Sequence, residues 1–255
     1  MLTKLITTLA LTAPFSLYAG AMGTEVSDKS WFGAVGTGYT WPLKPSIDTP
    51  EALPGDSMSQ GYDGSLSDSG FYSFAIGKQI HRYFDISLNY INNETFDYQK
   101  YLSSTSLSNA GHRYFSLNNR AVLLNAFIHP TDHYFTVTNV SLTPFVGAGI
   151  GYARNNLSDF YSAQTVQIGD SALGSITSIG PDMNKNAFAW QGSLGLNINP
   201  ALDHLSFDIG YRYYDGGKFD GPSAIYTNNA GYQDSSAWSG HLKANQLFVN
   251  FKYTA

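Results

Sequence analysis

The chain contains no cysteine. A disulfide framework, a thiol nucleophile, a cysteine-ligated metal and a lipid-modified N-terminal cysteine are therefore excluded. Charge is also scarce: Asp, Glu, Lys and Arg make up 13% of the 255 residues, against a usual share of about 25%. What charge there is sums to -5, which repels polyanions, so nucleic acid is not an expected partner. Past the first twenty or so residues no apolar run approaches the ~20 residues of a helical membrane span. If the mature chain crosses a membrane, it must do so with strands closed into a barrel, since lipid offers no partner to an open sheet edge.

Aromatic residues are plentiful at 15%, Tyr foremost, and there are 25 glycines. This mixture suits strands and membrane interfaces rather than a helical enzyme. The N-terminus, "MLTKLITTLALTAPFSLYAGAM", carries Lys4, an apolar stretch from Leu5 to Leu17 and then small residues. That is the layout of a secretory signal peptide, residues 1–21, cleaved after Ala21 or, as a second choice, after Ala19. The rest, residues 22–255, reads as a single domain.

Eight segments alternate with period two, the signature of strands with two unlike faces. In "LSFDIGYRYYDGG" Leu205, Phe207, Ile209, Tyr211 and Tyr213 oppose Ser206, Asp208, Gly210 and Arg212. The others are "WFGAVGTGYTW" (31–41), "FYSFAIGKQI" (71–80), "FDISLNYIN" (84–92), "NRAVLLNAFI" (119–128), "LTPFVGAGIGYA" (142–153), "FAWQGSLGLNI" (188–198) and "NQLFVNFKYTA" (245–255). The segment 119–128 is apolar on both faces, which leaves its facing open; Asn125 is expected with the polar set. Connections alternate in length. Short or moderate ones fall near 81–83, 130–141 and 200–204; long polar ones span about 42–69, 97–112, 158–185 and 215–240. An even number of ten-residue strands with alternating short turns and long loops predicts an all-β, eight-stranded antiparallel transmembrane barrel. Aromatics cluster toward both strand ends, with Tyr90, Tyr152, Tyr211 and Tyr213 on the long-loop side and Phe84, Phe251 and Tyr253 on the turn side, as two interface belts require.

Several of these segments resemble strands of the OmpA-like and opacity-type surface proteins. "LTPFVGAGIGYA" resembles their Pro-aromatic-Val-Gly-Ala-Gly-x-Gly-Tyr strand, "FDIGYRYYD" their Leu-x-Leu-Gly-Tyr-Arg-Tyr strand and "DISLNY" their third strand. "LFVNFKYTA" resembles the C-terminal strand read by the barrel-assembly machinery. The family usually ends on an aromatic residue, whereas this chain ends Tyr253-Thr254-Ala255, so the insertion signal would fall to Phe251 and Tyr253. The resemblance implies a barrel in the outer membrane of a Gram-negative bacterium, in contact with its lipid and lipopolysaccharide, without the periplasmic peptidoglycan-binding domain and with both mature termini periplasmic.

In such a barrel the oily faces meet lipid and the polar faces meet the lumen. Asp85, Asp208, Arg212 and Lys252 are the expected lumen charges, joined by Asn89, Asn125, Gln191, Asn197, Gln246 and Asn250. Eight strands leave a lumen just wide enough for side chains to fill, and buried charges must pair. Asp208 and Arg212 lie about 13 Å apart along one strand, so each is expected to pair across the barrel, an Asp with Arg212 or Lys252. The glycines Gly147, Gly149 and Gly151 mimic a dinucleotide fingerprint only superficially, lacking the helix that motif requires.

No histidine spacing marks a metal site, no cofactor is expected, and the histidines near the turns read as solvated. His112 and His241 flank long loops, but no Ser–His–acid spacing accompanies them, so an enzyme is not expected. The first, third and fourth long loops are net acidic, and Tyr62, Tyr101, Tyr161, Tyr226, Tyr232 and Trp238 are candidate contact residues for a host or cell-surface ligand. The function expected is that of a monomeric surface anchor with adhesive loops and a plugged lumen. The runner-up is a channel for small solutes or hydrophobic compounds, of the OmpW kind, and a lipid-modifying enzyme ranks last.

Overall fold

The computed structural model describes residues 30–48, 64–102, 109–129, 135–137, 140–168, 171–200, 202, 204–222, 224–227, 231–234 and 238–255. The expected signal peptide, residues 1–21, with its expected cleavage sites, and Tyr62 lie outside these residues, as do the side chains of Tyr101, Tyr226 and Tyr232. Eight long strands form the wall: β1 (Trp31–Pro42), β2 (Ser69–His81), β3 (Phe84–Leu102), β4 (Asn109–Ile128), β5 (Val140–Ile168), β6 (Met183–Asn199), β7 (Leu205–Asp220) and β8 (Ser239–Thr254). Each pairs antiparallel with the next. β8 returns to β1, in register from Phe32 opposite Thr254 to Pro42 opposite Ala244, which closes the barrel and removes its edges.

All eight predicted segments lie within these strands, save that Ala255 falls one residue past the end of β8. Around the middle of the wall the outward residues are apolar and exposed: Val35 on β1, Phe74 and Ile76 on β2, Leu88 on β3, Leu124 on β4, Ile150 on β5, Leu194 on β6, Ile209 on β7 and Val249 on β8. An apolar belt that circles a closed barrel belongs against lipid, because no water-soluble fold leaves so much of it bare. Strand 119–128, open on sequence grounds, turns Asn125 inward and Val122, Leu124 and Ile128 outward. The N-terminal start of β1 and the end of β8 meet at the same end as the short turns. There the Ala255 N–H donates to the Trp31 carbonyl at 2.8 Å, and the Thr254 N–H to the His204 carbonyl at 2.8 Å. This is the turn end; the opposite one is the loop end.

Where the structure describes them, the long loops of the sequence reading are largely wall. Residues 97–102, 109–112, 158–168, 183–185 and 215–220 continue β3 to β7 past the apolar belt. Short strands Ser46–Asp48 and Ser171–Ile179 pair onto β8 and β5. β5 alone runs 29 residues, against the 9–11 of a membrane-spanning strand.

The continuation was hidden for two reasons. Its polarity is inverted, polar outside and apolar inside, and bulges shift the period-two count. β3 carries a bulge between Asn93 and Phe96, and β7 one between Asp215 and Gly217. After each, residues of the opposite parity face inward, here Phe96, Tyr98 and Phe219, all fully buried. Gly217 takes a φ of 75°, which only glycine adopts freely, and its N–H donates to the Asp215 carboxylate at 3.0 Å.

Candidate functional site

Side chains fill the lumen in four storeys. At the turn end lie the charges. Asp85 of β3, 3% exposed, accepts from the Lys252 ammonium of β8 at 3.0 Å and lies 3.2 Å from the His129 ring. Lys252 also sits 3.9 Å over the Phe32 ring. Asp208 of β7 accepts from the Asn197 amide of β6 at 2.7 Å. A cavity of about 40 Å³ opens between these groups and Asn89, Gln191, Ser193, Arg212 and Asn250, with room for a few waters. Several polar atoms around it, among them Asn89 Oδ1, Gln191 Oε1, Ser193 Oγ and an Arg212 Nη, have no protein partner, which suits a wet pocket.

Above the charges the lumen narrows on Phe71, Phe145 and Phe248. Arg212 reaches between two of them, its guanidinium 4.8 Å from the Phe71 ring and 5.4 Å from the Phe248 ring. The expected Arg212–carboxylate pair is not formed. Arg212 instead donates through Nε to the Gln246 amide oxygen at 2.7 Å. The two aromatic faces and the amide stand where a carboxylate was expected, as a weakly hydrated planar cation allows.

The third storey is a belt of neutral amides. Gln246 donates to Thr40 at 2.9 Å and to Asn93 at 2.7 Å. Asn93 donates to Asn119 at 2.7 Å, and Asn119 to Asn155 at 2.6 Å. Asn155 donates to the Gly216 and Lys218 carbonyls at 2.9 and 3.0 Å, and the Tyr214 hydroxyl to Asn119 at 2.8 Å. The chain of bonds thus crosses from β1 and β8 through β3, β4 and β5 to β7, and every member is buried. Such a network is rigid because each donor and acceptor finds a partner in low dielectric. Asn125 and Gln191 form a smaller pair at 2.6 Å. Gly149 makes room for it: a Cβ there would overlap the Asn125 amide.

The fourth storey, inside the loop-end wall, is apolar. Leu66, Phe96, Tyr98, Phe115, Leu117, Leu157, Phe160, Phe219, Trp238 and Leu242 form one buried cluster. Tyr98 stacks on Phe115 at 4.4 Å, and Trp238 lies 5.6 Å from Phe115 and 6.1 Å from Phe160. Trp238 was expected as an exposed loop contact. It is 4% exposed and packs flat over Gly221, whose missing Cβ leaves space for the indole.

The other sequence candidates are placed as follows. Asp85, Arg212, Asn125, Gln191 and Gln246 are buried in the lumen, and Asn89, Asn197, Asp208, Asn250 and Lys252 are partly buried there. Phe251 and Tyr253 face outward near the turn end, Phe251 edge-on to Phe207 at 4.6 Å. Tyr161 stacks on Tyr114 at 5.0 Å beyond the apolar belt. His129, read as a solvated turn residue, belongs to the lumen; it continues the inward alternation of Asn125 and Phe127, and that phase was the signal available. Asn93, Asn119 and Asn155 were not singled out at all. His241 pairs with Asp215 at 2.6 Å, but no serine hydroxyl is hydrogen-bonded to that ring among the described residues, and no cluster of metal-ligating side chains occurs among them.

No protein-family model and no curated protein sequence matches the chain. Solved structures do. The outer membrane protein OprG from Pseudomonas aeruginosa aligns over 89% of this chain and 97% of its own, with a TM-score of 0.50 at 13% identity. The outer membrane protein AlkL, solved in lipid bilayers, aligns over 93% and 95% with a TM-score of 0.42 at 15% identity. Neisserial surface protein A aligns over 88% and 96% with a TM-score of 0.34 at 15% identity. With its closed ring of eight antiparallel strands, apolar outer belt and polar mid-lumen, the chain has the fold of the small outer-membrane β-barrels.

Proposed function

We propose that this chain is a non-conducting, non-catalytic surface protein of a Gram-negative outer membrane, a barrel that anchors a raised extracellular wall and its loops for contact with other surfaces. The observation that carries the reading is the double closure of the lumen, by the buried amide belt and by the apolar cluster above it. Solutes would have to displace both. The loop end is extracellular and the turn end, with both mature termini, periplasmic, in keeping with long outer loops and short inner turns. Phe251 and Tyr253 stand where the assembly machinery would read the last strand. The chain acts as a monomer, and its adhesive partner is a host or cell-surface ligand met by the loops.

A transport reading would need a continuous path. The wet cavity near Asp85 and Arg212 supplies only the turn-end part of one. The test is planar-bilayer recording of the refolded mature chain. Silence or rare brief openings support the closed barrel. Steady ohmic conductance that changes on Arg212→Gln would reassign the protein to transport.

A further inference from the structure

The outer wall carries a feature that the closed lumen does not use. On β4 and β5, Arg120 and Arg154 are direct cross-strand partners, and both are exposed. Like charges in register repel. In a chain of net charge -5, acids are the expected neighbours of such a pair. Neither guanidinium has a carboxylate partner among the described residues. Arg120 donates through Nε to the Asn92 side-chain oxygen at 3.1 Å, and Arg154 through Nε and one Nη to that of Asn184 at 3.3 Å. Asn186 is the cross-strand neighbour of Arg154 on β6, and Asn118, Asn156 and Asn184 form the next outward row. Two cations thus sit on a patch of neutral amides that orient them without neutralising them.

Their height on the wall is the second observation. One step toward the turn end, the same row reads Val122, Tyr152 and Phe188, in register on β4, β5 and β6. Tyr152 is 74% exposed and Phe188 56%. This row is the upper rim of the lipid belt, where amphipathic aromatics meet headgroups. The guanidiniums therefore lie at headgroup depth, where lipid phosphates are and bulk water begins.

We propose that Arg120 and Arg154, held by Asn92 and Asn184, form a clamp for the phosphate of an anionic outer-leaflet glycolipid. Its acyl chains lie over Val122, Tyr152 and Phe188, and its sugars face Asn118, Asn156 and Asn186. A phosphate bridging two forks converts the in-register repulsion into two charge-assisted, bidentate contacts. The amides suit a sugar, which offers hydroxyls rather than charge. The inference rests on the extracellular placement of the loop end but not on whether the lumen conducts.

The experiment uses the refolded mature chain in detergent, with native mass spectrometry of bound bis-phosphorylated lipid A and of the same lipid dephosphorylated. The wild type should hold the phosphorylated form at least about tenfold more tightly, the scale of one or two charge-assisted hydrogen bonds. Arg120→Gln with Arg154→Gln should remove that preference while keeping the heat-dependent gel shift of a folded barrel. Lys78→Gln, which removes a cation near Trp31 at the turn end, should keep it. Equal binding of the two lipids by the wild type, or an unchanged preference in the double variant, would overturn the clamp. Displacement by inorganic phosphate at the lipid's own concentration would also overturn it, because the site would then be one for a free anion. Protease shaving of whole cells separates the two readings: cleavage only after the outer membrane is opened would refute the placement of the loop end, whatever the lipid result.

Discussion

The two halves of this barrel solve opposite problems with the same strands. In the half that crosses the membrane the solvent outside is lipid, so apolar residues face out and the inside takes the polar set: Asp85, Lys252, Arg212 and the amides. Past Arg120 on β4 the solvent outside is water, and the pattern inverts. Tyr114, Ser116 and Asn118 face out, and Phe115 and Leu117 pack inside. One strand thus carries two polarity codes, joined at the row of Arg120 and Arg154. The polar half is held by pairing, where each lost partner strands a charge or an amide. The apolar half is held by packing, where each lost ring leaves a cavity.

That contrast can be broken at graded cost. The largest loss is expected for Trp238→Ala, which removes a buried ring touching Phe115, Phe160 and Phe219. A cost of about 3–5 kcal/mol is expected in denaturant titration, with the loop-end wall becoming protease-sensitive while the membrane half keeps its heat-dependent gel shift. Lys252→Met comes next. It strips Asp85 of its ammonium partner and leaves only His129, at about 3 kcal/mol. Adding Asp85→Leu should return most of that loss, because a removed pair costs far less than a broken one. A double variant no better than the single one would show that the charges do more than satisfy each other.

Asn119→Leu should cost about 2 kcal/mol, since it strands the Tyr214 hydroxyl and one group each of Asn93 and Asn155. It should also raise the frequency of brief conductance events if the belt is one of two closures, without producing a steady current while the apolar cluster stands. Tyr161→Ala, which removes a stack on Tyr114, should cost no more than about 1 kcal/mol. A loss as large as that of Trp238 would mean that the exposed stack is part of the core.

The membrane half was legible in the sequence because lipid and a narrow lumen enforce the strictest alternation a strand can show. Every strand there but 119–128, whose two apolar faces left its facing open, and the facing of Asp85, Asp208, Arg212 and Lys252, followed from period two. The loop-end half was not legible, for reasons that individual residues make clear. Phe96, Tyr98 and Phe219 lie beyond bulges that reset the parity, so a single count carried across them reads noise. Trp238 sits in a stretch rich in Ser and Gly, and only the cluster waiting for it shows that it is core. Asn93, Asn119 and Asn155 form the belt because three strands bring them to one height, a register that no single strand encodes. The partner of Arg212 was misjudged because charge alone suggests a carboxylate, whereas Phe71 and Phe248 come from distant strands.

The central claim is that the described parts of the long connections are wall with a core of their own rather than loops. Amide hydrogen exchange on the barrel in a bilayer tests it most directly, comparing residues 113–118 and 155–160 with the membrane stretch 120–128. The account predicts protection of the same order in both, with Phe115, Leu117 and Leu157 exchanging only on slow opening of the wall. Exchange of those amides at the rate of free peptide, with the membrane stretch still protected, would contradict it.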